Sequence, residues 1–189
     1  MGIFGVNMEI SVIESAINGL FEYANNLPAD YVNGAVGNTK FTRDQLRAQI
    51  VALNDMAFAE EKNGGMVTGS DLDDVFPLRH MFAPGVYGRE ITIPEGHWII
   101  GKIHKHAHFS VISKGKVAVL TEDGPVVMSA PYTFVSSPLA KRVVLALEDT
   151  IWTTFHITNE TDLALIENQV IAKTYDDVLE ITQDKGEIL

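Results

Sequence analysis

Apolar residues recur along this chain at two different periods, and the change from one to the other divides it. Between residues 8 and 62 the spacing is three and four. Ile13, Ala16, Ile17, Leu20, Phe21 and Ala24 fall on one stripe of an α-helix, which Asn25-Asn26-Leu27-Pro28 would stop. A connection containing Gly and Asn runs from Pro28 to Lys40. Thr42-Arg43-Asp44-Gln45 then has the form of a capping box, with the Thr hydroxyl accepting from the backbone and Gln45 reaching back. Leu46, Ile50, Leu53, Met56 and Ala57 give the second helix its apolar stripe, and Gly64-Gly65 would end it. Such stripes predict packing surface.

The stretch GMVTGSDLDDVFP, residues 65–77, is polar and acidic and reads as a linker. Asp71, Asp73 and Asp74 suggest a calcium loop, but an EF-hand needs Gly at its sixth position and Glu at its twelfth. Phe76 and Phe82 stand there, so calcium is excluded on that pattern.

From Arg79 onward the period is two. The alternation predicts strands at Val86–Ile93, Trp98–Ile103, His106–Ser113, Lys116–Thr121, Pro125–Met128, Tyr132–Ser136, Arg142–Leu147 and Thr150–Ile157. Pro94-Glu95-Gly96, Ser113-Lys114-Gly115 and Glu122-Asp123-Gly124 supply turns. Short strands at this spacing predict an all-β sandwich or barrel. Asp162–Glu167 and Tyr175–Glu180 read as short helices closing it. The expected organisation is therefore a helical region with its linker over residues 1–77, followed by a β-barrel domain over residues 78–189.

Composition narrows the function. Apolar residues make up 46% of the 189 positions, enough for a sizeable core. With 14 basic against 25 acidic side chains the net charge is −11, which repels phosphate backbones and anionic lipid. Nucleic acid and membrane are thus not expected partners, and no apolar run reaches the ~20 residues that span a bilayer. There is no cysteine, hence no disulfide, thiolate ligand or thiol nucleophile. MGIFGVNMEI lacks a basic segment followed by an apolar one, so the expected location is the cytoplasm.

Candidate chemistry is concentrated in one place. The chain holds six histidines, and His104, His106 and His108 occupy alternate positions of IHKHAHFSVISKG, residues 103–115. In a continuous strand alternate side chains share a face, so three imidazoles would converge on one side. Neutral imidazole ligates zinc, copper, iron and nickel. The competing reading is an exposed polar strand face without metal. No nucleophile elbow, phosphate-binding loop or dinucleotide fingerprint occurs, so the sequence assigns no catalytic residue. Glu95, Glu148 and Asp149 read as solvated turn residues, and Lys141-Arg142 as solvated too.

The spacing from Gly96 to Gly115 resembles the first motif of the cupin superfamily, in which Gly, five residues, His-x-His, three or four residues, Glu, six residues and Gly follow one another. Here Lys102 and His104 take the two His positions and His108 the Glu position. The motif gives His106 no role. The second motif wants a His after a Pro-x-Gly turn; its nearest counterpart is Pro138-Leu139-Ala140, with Val143 at the His position, so His156 is the substitute ligand. The resemblance covers residues 79–172. The wording EDTIWTTFHITNETDLALIE is also similar to small cupin-like proteins encoded by tailed phages.

That resemblance implies a cupin-type double-stranded β-helix, a jelly-roll barrel preceded by the helical region. It implies a divalent metal (Zn, Fe, Ni or Mn) held in the barrel mouth by His104, His106, His108 and His156. Lys102, Trp98, Tyr132 and Trp152, with Tyr87, are the expected neighbours of a small-molecule ligand, and a homo-oligomer is the expected assembly. Three functions compete: a metal-dependent protein acting on or sensing a small molecule, a non-catalytic phage virion or assembly component (cytoplasm of the host cell, or virion), and a small-molecule binder without metal.

Overall fold

Two helices and eleven strands carry most of the described chain. The structure, a computed structural model, describes residues 42–62 and 75–172 together with the single positions 19, 22 and 26, and side chains within the first of these stretches as far as Asp55. The expected first helical stripe, the acidic linker up to Asp74 and the expected helix at Tyr175–Glu180 lie outside the described residues.

The first helix, α1, spans Arg43–Lys62. Its start is the capping box anticipated above: the Thr42 amide donates to Gln45 Oε1 at 2.8 Å and the Gln45 amide donates to Thr42 Oγ1 at 3.3 Å. The stripe of Leu46, Ile50 and Leu53 is buried. Arg47 fixes the helix to the barrel through two hydrogen bonds, 2.9 and 2.8 Å, to the buried carboxylate of Glu122.

The strands are β1 (Leu78–Ala83), β2 (Val86–Ile93), β3 (Trp98–Ile100), β4 (Ile103–His104), β5 (His108–Lys114), β6 (Lys116–Thr121), β7 (Gly124–Ser129), β8 (Tyr132–Ser136), β9 (Val143–Ala146), β10 (Thr150–Ile157) and β11 (Ile171–Ala172). They form a five-stranded sheet in the order β1-β2-β10-β5-β8 and a four-stranded sheet in the order β3-β9-β6-β7, with β4 and β11 as a separate pair. All pairings are antiparallel. The chain crosses repeatedly from one sheet to the other, and its first and last long strands, β2 and β10, lie side by side. This is the jelly-roll order of a double-stranded β-helix, as the resemblance implied.

Two apolar layers hold it together. Between the sheets lie Ile93, Ile112, Val117, Val119, Val126, Met128, Val144, Ala146 and Trp152. On the outer side of the four-stranded sheet, Ala118, Val127, Val143 and Leu145 meet Ile50 and Leu53 of α1. Strands β6 and β9 are therefore covered on both faces, which explains why they read as unbroken apolar runs rather than as alternations. Each large aliphatic side chain so buried stabilises the fold by about 1.5–3 kcal/mol relative to exposure.

One turn shows why its residue is glycine. Gly115 between β5 and β6 has φ +85°, and a Cβ there would lie 2.4 Å from the Asp149 carbonyl oxygen. Strand ends deviate where the site begins: the expected strand Trp98–Ile103 breaks at Gly101-Lys102, and the expected strand His106–Ser113 starts only at His108 and runs on to Lys114. A second helix, α2 (Leu163–Val170), is capped by the Asp162 carboxylate, which accepts from the amides of Ala164 and Leu165. Its buried Ile166 and Val170 pack on Tyr87 and cover one end of the barrel. Among the described residues no helix is long and apolar enough to cross a membrane.

Candidate metal centre

The inward faces of β2, β10 and β5 are in register, and reading them row by row along the barrel shows where the site begins. Ile93 pairs with Thr150, and Trp152 pairs with Ile91 and Ile112. In the next row Thr154 pairs with Arg89 and Ser110. Beyond it His156 pairs with Tyr87, and the His108 ring lies 4.7 Å from that of His156. Alternation is kept throughout, while the side chains change from aliphatic to polar to imidazole.

His104 completes the group from a different direction. It sits on the short strand β4, held opposite Ile171 of β11. The Leu139 amide donates to the His104 carbonyl at 2.7 Å, and the next amide, of Lys105, donates to the Val170 carbonyl at 2.8 Å. Leu139 adopts the left-handed conformation, φ 65°, in making that contact, an arrangement that costs roughly 1–3 kcal/mol and persists where surrounding structure imposes it.

The His104 ring centroid is 4.2 Å from that of His108 and 5.1 Å from that of His156, the latter pair stacked at 2°. One ligand nitrogen from each of the three rings lies within 4.8 Å of the others. In a tetrahedral zinc site with bonds near 2.1 Å, neighbouring nitrogens are about 3.4 Å apart. A contraction of at most about 1.4 Å between ligand nitrogens would bring the rings onto one ion.

Hydrogen bonds fix two of the tautomers. His108 Nδ1 lies 3.2 Å from the His106 carbonyl, which can only accept, so Nδ1 carries the proton and Nε2 keeps its lone pair. The Thr154 hydroxyl donates to the Arg89 carbonyl at 3.4 Å, and thus accepts from His156 Nε2 at 3.2 Å, leaving Nδ1 as the acceptor nitrogen of His156. Partners of this kind orient metal-binding imidazoles in known sites. His104 Nδ1 is buried with no hydrogen-bond partner, an uncompensated polar atom of the sort that a bound ion or ligand would satisfy.

Electrostatics keep the three rings neutral. Burial, followed by the nearby His108 and His156 and by Arg89 and Arg142, pushes His104 down to about 2. Burial, followed by His108, Arg89 and His106, pushes His156 down to about 4. His108 is lowered by burial, partly opposed by its bond to the His106 carbonyl. Neutral imidazole is the form that binds metal. Three neutral nitrogen donors with a fourth position open suit zinc and other divalent first-row ions.

The group opens into a cavity of about 360 Å³. Tyr87, Arg89, Arg142, Trp152 and Thr154 contribute to its wall, along with aliphatic residues of both sheets and of α2. The Tyr87 hydroxyl lies 2.7 Å from His80 Nδ1, and its phenol is raised above the ordinary value chiefly by burial.

Several expected site residues sit elsewhere. His106 is exposed and outside the cluster: the chain bends at Lys105-His106, so the alternation that would align it with His104 and His108 is interrupted, and three residues separate the converging pair. Trp98 occupies the outward face of β3 and packs against the cluster beneath α1, while its neighbour Ile99 faces the cavity. Tyr132 shares the inward face of β8, but it pairs with Ile112 in the aliphatic row and stacks on Phe134 at 5.5 Å, away from the cavity wall. Lys102 is at the cavity rim, exposed, and ion-paired with Glu167 of α2. Trp152 does line the cavity.

Sequence reasoning also placed Lys141 and Arg142 in solvent. Lys141 is instead buried and donates to the Gly101 carbonyl at 3.1 Å. Arg142 is half-buried at the cavity wall, donating to Ser136 Oγ at 2.8 Å. The position matched to the second-motif histidine, Val143, faces α1. A histidine there would point away from the cavity, so the inward residue of that segment is Arg142. Only the pairing of β9 reveals this parity; the basic dipeptide alone does not.

No family model matches the sequence, and no curated protein matches it. Solved structures similar in fold include an RmlC-like cupin from Shewanella frigidimarina, 17% identical over 46% of this chain and 79% of that one, with a TM-score of 0.39. KdgF from a Halomonas species is 14% identical, covering 50% of this chain and 90% of that one, with a TM-score of 0.41. A cupin 2 domain-containing protein from Halorhodospira halophila is 13% identical, covering 62% and 83%, also with a TM-score of 0.41. The jelly-roll assignment rests on the strand order given above.

Proposed function

We propose that this protein is a metal-binding, cupin-like jelly roll that binds or acts on a small molecule in the mouth of its barrel. The observation that supports it is the convergence of His104, His108 and His156 from three separate strands, as neutral rings, at the wall of a cavity in the barrel mouth. Zinc, iron, nickel or manganese are the candidate ions. Bound there, a divalent ion would polarise a carbonyl or lower the pKa of a water molecule. The protein's own part is to hold three imidazoles together, two of them in defined tautomers, and to surround them with the aliphatic walls and the side chains of Tyr87, Arg89 and Arg142.

Elemental analysis of protein purified without a histidine tag tests this reading after equilibration with each of the four ions. One ion per chain is expected, with loss of that ion and retention of the fold in a His104→Ala, His108→Ala double variant. Trace metal in the wild-type protein with every ion contradicts it.

A second reading, self-association into a structural assembly, is favoured by one surface feature. Phe109 and Val135 are cross-strand partners on the outer face of the five-stranded sheet, and each is 59% exposed. Sedimentation at increasing concentration tests it: a mass that rises above one chain and falls back with Phe109→Ser supports self-association through this face, and a monomer at all concentrations contradicts it.

A further inference from the structure

We propose that the cavity takes a small organic carboxylate with an apolar body, its carboxylate held by the guanidiniums of Arg142 and Arg89 and by the indole N–H of Trp152. This rests on the barrel mouth being a ligand site, as proposed above, but not on the metal being present.

Four observations lead to it. The first is the charge of the wall. Arg89 and Arg142 both line the cavity. Among the described lining residues the one carboxylate, Glu167, is paired with Lys102 at the rim. The clustered donors His104, His108 and His156 are all imidazoles, with no carboxylate among them. Three neutral imidazoles leave the charge of any bound cation uncompensated, and apart from the rim pair the charged side chains lining the cavity among the described residues, Arg89 and Arg142, are both basic. A compact anion is the complementary guest.

The second is donor chemistry. A guanidinium carries five N–H donors and no acceptor, and Arg142 uses one of them on Ser136. Its planar fork matches the two oxygens of a carboxylate. The third is an unsatisfied donor. Trp152 lines the cavity and is 8% exposed, yet its indole nitrogen is buried with no hydrogen-bond partner. Indole N–H only donates, so what it lacks is an acceptor. An unmade bond of this kind costs about 1–3 kcal/mol, which a ligand oxygen would restore.

The fourth observation separates an organic acid from an inorganic anion. The remaining wall is aliphatic, with Ile91, Ile99, Val144, Ile166 and Val170 drawn from both sheets and α2. A volume of about 360 Å³ is in the range of small-molecule sites and exceeds the needs of phosphate or sulfate. A carboxylate head against the arginines with a hydrocarbon or aromatic tail along this wall satisfies both parts.

Calorimetry with benzoate, benzamide and inorganic phosphate tests the inference on metal-free and zinc-equilibrated protein. Benzamide keeps the shape and removes the charge. Benzoate is expected to bind both forms of the protein at least about tenfold more tightly than benzamide or phosphate. Arg142→Gln should weaken benzoate by about tenfold or more while leaving the benzamide value unchanged, and Arg142→Lys should fall between. Trp152→Phe, which removes the N–H and keeps an aromatic ring, should weaken benzoate several-fold and covers the case in which Arg142→Gln fails to fold. Equal binding of benzoate and benzamide, preference for phosphate, or wild-type benzoate binding by both Arg142→Gln and Trp152→Phe overturns the proposal. Arg142-dependent benzoate binding by a protein that takes up no metal overturns the metal reading and leaves this one standing. Zinc uptake without benzoate preference does the reverse.

Discussion

At one end of the barrel the inward side chains of β2, β5 and β10 are Ile93, Ile112 and Trp152; further along the same strands, on the same face, they are Tyr87, His108 and His156. The strands run antiparallel through both ends, with a register shift between β10 and β5 at Ile151/Trp152. Their energetics are opposed. In the aliphatic end each side chain removes apolar surface from water and meets the facing sheet, so it contributes to stability. At the histidine end burial pushes imidazoles away from their charged form, leaves His104 Nδ1 without a partner, and sets Arg89 and Arg142 close by. Such an arrangement costs stability, and function is the reason proteins keep one. One end holds the barrel together, and the other is held by it.

The largest expected effect breaks the aliphatic end. Ile112 is fully buried between the sheets, and Ile112→Ala should cost about 2–5 kcal/mol in chemical denaturation. Zinc stoichiometry should survive under native conditions, since the ligands sit on other rows. An unfolding midpoint within error of the wild type would show that the rows are not a continuous packed core.

Acid should act on the other end. The three histidines are depressed in the folded state, whereas in the unfolded chain they titrate near 6.5. Below that value the unfolded state takes up protons that the folded state refuses, so stability is full above about pH 6.5 and falls with decreasing pH. The loss continues until His156 protonates in the fold near 4 and His104 near 2. Denaturation of the metal-free protein at a series of pH values should show a shallower decline for His104→Ala, His108→Ala than for the wild type. Parallel curves would contradict the buried neutral cluster.

The smallest expected change in stability is the most informative in sign. His156→Leu replaces a buried imidazole with an apolar side chain among partly apolar neighbours. Without metal, the variant should lie within about 1 kcal/mol of the wild type, on the stabilised side below pH 6; equilibrated with zinc, it should bind the ion more weakly than the wild type. A destabilisation as large as that of Ile112→Ala would mean that His156 is a structural core residue.

Much of the barrel could be read from the chain because its strands are half-buried alternations. Val86–Ile93, Tyr132–Ser136 and Thr150–Ile157 have the ends that their polarity predicts. The capping box at Thr42 was likewise readable, since capping is a local contact. What escaped depends on long-range pairing. Strand β1 precedes the first clear alternation and is largely exposed, and β11 is two residues long. His104 and His108 were identifiable as a converging pair from their glycine-flanked spacing. The exclusion of His106 was not, because it follows from a bend between β4 and β5 that tertiary bonds impose on His104 and Lys105. Trp98 and Arg142 were misplaced for a related reason: a residue's face on a short strand is set by its sheet partner, and a strand covered on both sides carries no polarity to mark it.

Zinc titration of four single variants, free of tags and followed by calorimetry, addresses the central claim most directly. His106→Ala should bind one zinc per chain as the wild type does, while His104→Ala, His108→Ala and His156→Ala should each weaken binding by about tenfold or more. Loss of zinc in His106→Ala, or wild-type binding in any of the other three, would contradict a centre built from His104, His108 and His156.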